Sequence, residues 1–195
     1  MYAYFDGKFD VITPTHAIID VGGVGYFMHI SLNTYSLIKD LEKGRLYASL
    51  QVREDAHLLY GFAEEEERRL FEHLISVSGI GPATGRMILS SLTPEEIQSA
   101  IATGNVAVLR TIKGIGPKTA QRVILELQDK LSKENASTPS AFGVNDGRNV
   151  QEEAAGALLL LGFQKAQIHK CLGAVAREQP GLTVEKMIKE ALKRL

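Results

Sequence analysis

A short glycine-rich sequence occurs twice in this chain and is the first candidate for chemistry. Val77 to Gly85 reads VSGIGPATG and Ile112 to Ala120 reads IKGIGPKTA, so Gly-Ile-Gly-Pro recurs after 35 residues. Two glycines around one apolar residue let the backbone turn tightly, and the proline that follows favours the start of a helix. Amides at a helix start attract anions. The repeat therefore predicts two sites for phosphates of a nucleic-acid backbone.

The side chains around the two turns predict how each would hold a phosphate. Lys118 and Arg122 follow the second turn and suit ion pairs, whereas Ala83 occupies the place of Lys118 in the first copy. The first turn is therefore expected to rely more on amides, and binding through amides should not depend on base sequence. The candidate DNA-binding residues are Ser78, Gly79, Ile80, Gly81, Ala83, Thr84, Arg86, Lys113, Gly114, Ile115, Gly116, Lys118, Thr119 and Arg122.

Other interpretations of the turns remain open from the residues alone. A single Gly-x-Gly between helices can be a plain connector, and two copies with matching flanks favour binding. A structure-specific nuclease or a base-excising glycosylase is an alternative, although a polar segment follows the second turn where a glycosylase needs a catalytic Asp. A nucleotide-binding loop is excluded because Pro117, not Gly, precedes Lys118.

Cysteine and histidine give no sign of a catalytic or metal site. The lone Cys171 excludes an intramolecular disulfide and a multi-cysteine metal site, and is expected to be a packing residue. Five histidines are scattered without metal-binding or catalytic spacing, and each is expected to be structural or on the surface: His16, His29, His57, His73 and His169. No cofactor, metal or catalytic residue is therefore expected.

Composition predicts a folded protein of the cytoplasm without a membrane segment. The chain has 195 residues, is 45% hydrophobic, and carries 22 basic and 23 acidic residues. Because the net charge is close to zero, phosphate binding must depend on local geometry and not on a global positive field. The sequence contains neither a run of about 18 apolar residues nor a secretory signal at its start.

The first 62 residues have the pattern of a small β-barrel. A hairpin is predicted at Asp6-Gly7 and another turn at Gly22-Gly23-Val24-Gly25, with strands on either side. One short helix is expected over 33–41, before a last pair of strands around the turn at 53–55. Five strands with a helix before the last pair fit the OB fold, which often binds nucleic acid.

Helical periodicity begins at residue 63 and continues to 131, with both glycine turns inside it. Thr93 to Glu96 predicts a capping box for one of these helices. Residues 132–149 lack periodicity and are interpreted as a flexible linker, and 150–195 as a three-helix bundle. The predicted fold class is α+β multidomain. It comprises an OB barrel over 1–62, a helical domain with tandem helix-hairpin-helix motifs over 63–131, and a small UBA-like bundle. An alternative interpretation of the bundle is a general protein-docking module.

The arrangement resembles the RuvA family of bacterial Holliday-junction branch-migration proteins over essentially the whole chain. The specific segments are VREDAHLLYGF over 52–62 and the two glycine turns. The resemblance implies a non-catalytic homotetramer, with one or two tetramers per junction, that holds a four-way DNA junction open in recombination and repair. It also implies that Glu54 and Asp55 form an acidic pin at the crossover, where family members repel phosphates.

The resemblance further implies partners for the last domain. The bundle would recruit the ring-shaped motor ATPase RuvB, which supplies the ATP hydrolysis, and the RuvC resolvase would join the same complex. The candidate partner-binding residues are Leu158, Leu161 and Phe163. One departure from the family is Ala83, where a lysine is usual after the first Gly-x-Gly-Pro.

Overall fold

The computed structural model describes residues 2–137, 148–179 and 181–195. The chain forms two units, Met1–Thr138 and Pro139–Leu195. Of the predicted linker, residues 138–147 lie outside the described residues. The first unit contains two hydrophobic cores, one in a barrel and one among helices, and the second unit contains a third core.

The barrel is built from five strands and one helix. These are β1 (Tyr4–Ile12), β2 (His16–Val21), β3 (Val24–Ile30), α1 (Leu32–Ile38), β4 (Lys43–Val52) and β5 (His57–Phe62). The strands close in the order β1-β2-β3-β5-β4, with β3 and β5 parallel and the other pairs antiparallel. A short helix between the third and fourth strands completes the OB topology, which confirms the predicted fold.

The hairpin predicted at Asp6-Gly7 is wrong, because β1 runs through both residues. Gly7 pairs with Gly44 of β4, and a Cβ added to Gly7 would lie 2.0 Å from the carbonyl oxygen of Asp20. Glycine is therefore needed here for the close approach of strands. The true two-residue turn of this region is at Gly22-Gly23, whose φ angles of 65° and 90° suit a hairpin.

The helical part of the first unit has five helices. They are α2 (Glu65–Ser76), α3 (Pro82–Ser91), α4 (Pro94–Ala102), α5 (Val106–Arg110) and α6 (Pro117–Ser137). The predicted capping box is present, since the hydroxyl of Thr93 accepts from the amide of Glu96 and the Glu96 carboxylate accepts from the amide of Thr93. Helix α6 continues to Ser137, so the predicted linker does not begin at 132: its first six residues are helical.

A buried carboxylate joins the barrel to this helical part. Glu67 of α2 is 2% exposed and accepts hydrogen bonds from the hydroxyls of Ser31 and Thr34, at 2.7 Å for Thr34. Burial raises the pKa of the Glu67 carboxyl, against the lowering effect of these two hydroxyls. A second contact joins α1 to α3: the side-chain amide of Asn33 donates to the carbonyls of Leu89 and Leu92, at the end of α3. The barrel and the first hairpin are thus held together by polar contacts.

The second unit is the predicted three-helix bundle, made of α7 (Arg148–Leu160), α8 (Lys165–Glu178) and α9 (Val184–Leu192). Its core includes Leu158, Ile168 and Val175, all fully buried. The thiol of Cys171 is half-buried and lies 3.6 Å from the carbonyl oxygen of Ala191, as expected of a packing residue. Within the described ranges, no helix has the length and apolar character needed to cross a membrane.

Candidate nucleic-acid interface

The two glycine turns have the same backbone geometry. Gly79 and Gly114 have φ angles of 94° and 90°, a region that strains any residue with a side chain. Ile80 and Ile115 are only 4% and 7% exposed and pack into the core between the helices. The prediction that these isoleucines turn inward and anchor each turn is therefore confirmed.

The hydrogen bonds inside the turns also repeat. The amide of Ile80 donates to the carbonyl of Val77 at 3.0 Å, and that of Ile115 donates to the carbonyl of Ile112 at 3.1 Å. Both the side chain and the amide of each isoleucine are thus engaged inside the turn, which they anchor. The assignment of Ile80 and Ile115 to the DNA-binding residues stays a prediction.

The helices that follow supply outward amides. Each begins at a proline, Pro82 in α3 and Pro117 in α6. A first helical turn has no carbonyl to accept from its own amides, and the helix dipole makes this end attractive to anions. The first-turn amides belong to Ala83, Thr84, Lys118 and Thr119. These matched ends are the part of the two turns that could hold a phosphate.

At the matching positions of the two turns, lysines occur only in the second. Lys113 and Lys118 are both exposed there, whereas Ser78 and Ala83 occupy the corresponding positions of the first turn. An ammonium group is a strong phosphate ligand at an exposed helix start. We expect the second turn to contribute charge and the first to contribute amides.

Two arginines of the predicted site are bonded to the protein's own backbone. Arg86 of α3 donates from Nη1 to the carbonyl of Thr15, in the loop between β1 and β2, at 2.8 Å. Arg122 of α6 donates from Nη1 to the carbonyl of Ser78, in the first glycine turn, at 3.0 Å. Arg86 therefore ties the first hairpin to the barrel, and Arg122 ties the two hairpins together. No local sequence pattern indicates these roles, because each bond joins residues far apart in the chain.

The acidic turn predicted as a pin connects β4 and β5. Glu54 and Asp55 are both exposed at its tip, and the amide of Arg53 closes the turn by donating to the carbonyl of Ala56 at 2.9 Å. Two exposed carboxylates can repel a phosphate or a second strand. The geometry is that of a short projecting hairpin loop with two adjacent negative charges.

The histidines that the structure describes do not form a metal site. Nowhere in the described residues are three His, Cys, Asp or Glu side chains grouped so that they could hold a metal ion. His16 stacks on Phe27, and His29 lies between Phe27 and Tyr60. Burial, followed by the charges of Arg86 and His16, lowers the pKa of His29.

Comparison with known families agrees with this architecture over most of the chain. The RuvA N terminal domain matches residues 1–61, a SAM-like helix-hairpin-helix tandem matches 71–129, and the RuvA C-terminal domain matches 149–195. The chain belongs to the RuvA family. The barrel, the tandem hairpins and the bundle are thus the three parts of a RuvA chain, in the same order.

Curated relatives in the RuvA family cover the chain from end to end. A protein of Bacteroides fragilis is 49% identical over 202 residues, and one of Christiangramia forsetii is 47% identical over 195, each covering 100% of both chains. A protein of Cytophaga hutchinsonii is 43% identical over 198 residues, with 99% of both chains covered. All three are named Holliday junction branch migration complex subunit RuvA.

The partner-binding residues predicted in the RuvA C-terminal domain have different environments. Leu158 is fully buried in the bundle core, so it cannot meet a partner and its assignment is corrected. Leu161 is 61% exposed and Phe163 is half-buried against the core. Leu160, which the sequence analysis did not single out, is 91% exposed. Leu159 is 44% exposed, so the exposed apolar part of this region comprises Leu159, Leu160 and Leu161.

Proposed function

We propose that this chain binds four-way DNA junctions as the non-catalytic subunit of a branch-migration complex in recombination and repair. The observation that carries the proposal is the pair of glycine turns with matching φ angles and matching hydrogen bonds, each opening a helix with free first-turn amides. Contacts of this kind go to phosphates and not to base edges, so recognition would follow the shape of the DNA.

Four copies would make the recognition of a junction effective. A homotetramer with fourfold symmetry presents one pair of hairpins to each arm, and linked weak contacts bind far more tightly than one contact alone. In this arrangement Glu54 and Asp55 of each copy would meet at the crossover and act as the acidic pin. Either one or two tetramers could enclose the junction.

The bundle would provide the link to the motor. We propose that α7 and the exposed Leu159, Leu160 and Leu161 contact the RuvB ATPase, because three adjacent exposed leucines on a small domain favour a protein partner. ATP hydrolysis then belongs to RuvB, and the RuvC resolvase would act on the same junction. The complex would work in the cytoplasm, on chromosomal DNA.

Gel-shift titration tests the proposal directly. The purified chain is mixed with a four-way junction and with a linear duplex of equal length, without ATP and at several salt concentrations. We expect strong preference for the junction. Equal, weak binding to both would remove the junction claim and leave two phosphate-binding hairpins.

A double substitution tests the acidic pin. Replacing Glu54 and Asp55 by Ala should leave junction binding intact or tighter, because negative charge near the crossover is removed. Processing of the junction by the complex with RuvB should change. If both binding and processing equal those of the wild type, the turn is an ordinary hairpin loop. Strand cutting by the purified chain would instead favour a nuclease or a glycosylase.

A further inference from the structure

An aromatic ring is exposed on the outside of the barrel. Phe27 lies on β3, which pairs with β2 and β5 in the closed barrel, and is 48% exposed. The imidazole of His16 on β2 stacks on this ring, with centroids 4.7 Å apart and planes at 18°. Because His16 supports one side of the ring and half of the residue is still exposed, Phe27 offers a flat apolar surface to solvent.

The ring is held by a chain of aromatic contacts that ends in the core. His29 packs edge-on against Phe27 at 5.2 Å, and Tyr60 lies 5.4 Å from His29. Tyr60 in turn contacts the fully buried Phe71 of α2 at 5.0 Å. These contacts fix the ring in place, so a flat ligand would not have to order it on binding.

The position of the ring suits nucleic acid. The outer face of the second and third strands is where OB folds bind oligonucleotides. Since β3 and β5 are parallel, the acidic turn before β5 lies at the end where β3 begins. Arg86 bonds to Thr15 at the opposite end, where β2 begins. Phe27 therefore lies on the sheet between the acidic turn and the helix of the first glycine turn.

We propose that Phe27, backed by His16, is a stacking site for an unpaired DNA base at the junction crossover. The inference rests on the proposed function and adds to it a site that reads unpaired bases, separate from the phosphate-binding turns. Bases of any sequence stack on an aromatic ring. The guanidinium of Arg86, which bonds to Thr15 and whose charge acts on His29, supplies positive charge at one end of these strands.

A base fits this surface better than a second copy of the chain does. A stable protein interface needs roughly 800 Å² from each partner and a broad apolar centre. Phe27 is instead a single exposed ring opposite the half-buried Ile18, on a sheet face that also carries His16, His29 and Asp20, with Arg86 at one end. Such a surface suits a single nucleotide, which has one flat base attached to a charged phosphate backbone.

Fluorescence of 2-aminopurine tests the site, because this base loses emission when it stacks. The probe is placed next to the crossover of a four-way junction and, separately, as one unpaired base in a gapped duplex. We compare wild type with Phe27→Leu, which keeps apolar bulk but removes the aromatic ring, and with Phe27→Trp, which keeps a ring. We expect quenching with wild type and Trp, and none with Leu.

Affinity should follow the same pattern. Phe27→Leu is expected to weaken junction binding by about 5- to 100-fold for the loss of one stacked base, with binding to intact linear duplex unchanged. Equal quenching by all three proteins would overturn the proposal. A change in sedimentation of Phe27→Leu, with quenching retained, would also overturn it and make this face a contact between copies.

The gapped duplex separates the two proposals. If wild type shows no preference for a junction over duplex, but quenches the gapped probe in a manner that depends on Phe27, the stacking site stands and the junction function fails. If the junction is preferred and Phe27 has no effect on either probe, the function stands and the stacking site is wrong.

Discussion

Replacing Ala83 by Lys would show whether the two glycine turns bind phosphate in the same way. Ala83 and Lys118 occupy matching places, since each follows the proline that begins a helix, and both are exposed. Lys118 is expected to pair with a phosphate in the second turn. If the first turn meets DNA with the same geometry, Ala83→Lys adds one phosphate contact in every protomer that binds an arm.

The size of the effect follows from counterion release. Each phosphate neutralised on duplex DNA contributes about 0.9 to the slope of log K against log salt. At a salt concentration of roughly 0.15 M, that slope corresponds to about 1 kcal/mol, or about fivefold in affinity, for each protomer. A cation in the first turn of a helix opposes the helix dipole and costs about 0.3–1 kcal/mol of stability. Ala83→Lys should therefore bind more tightly but unfold more easily.

Fluorescence anisotropy with a labelled four-way junction, over roughly 50 to 300 mM salt, measures the slope. Lys118→Ala is the matched control. It should flatten the slope, weaken binding to the junction and make the protein harder to unfold. The reasoning is refuted if Lys118→Ala flattens the slope while Ala83→Lys leaves both slope and affinity unchanged. That result would mean that only the second turn approaches the DNA.

Three further predictions concern the scaffold and the bundle. Gly114→Ala should lower the free energy of unfolding by about 1–3 kcal/mol because its φ is 90°, whereas Gly116→Ala, without positive φ, should have little effect; urea unfolding measures both. Burial raises the pKa of Glu67, so the folded state binds the proton of this carboxyl more tightly than the unfolded state does. The free energy of unfolding should therefore fall as pH rises from the ordinary carboxyl range through the raised pKa. Urea unfolding at a series of pH values measures this fall, and Glu67→Gln should remove it. Leu158→Ala should destabilise the bundle by about 2–5 kcal/mol, whereas Leu160→Ala should leave its thermal unfolding unchanged and weaken stimulation of the RuvB ATPase.

Local patterns in the sequence predicted most of the architecture. The helix starts at Pro82 and Pro117, the inward isoleucines and the capping box at Thr93 all depend on residues within one turn of each other. The barrel followed from strand spacing and from the position of the short helix. Such features can be predicted because the residues that determine them are adjacent in the chain.

Features that depend on distant residues could not be predicted in this way. Asp6-Gly7 has the composition of a turn, but the close approach of Asp20 to Gly7 places it within a strand. Leu158 and Leu160 are alike in sequence, yet only packing against α8 and α9 makes one fully buried and leaves the other 91% exposed. Sequence alone does not show which side of a helix its neighbours cover.

The two arginines change the interpretation of the DNA site most. As phosphate ligands, Arg86 and Arg122 would each add one contact. As donors to the carbonyls of Thr15 and Ser78, they link the barrel to the first glycine turn's helix and the second turn's helix to the first turn. Linked contacts gain affinity only when their spacing matches that of the ligand. Bonds that favour one spacing would help weak amide contacts to discriminate a junction arm from other DNA, in a chain whose net charge of −1 gives no general attraction to DNA.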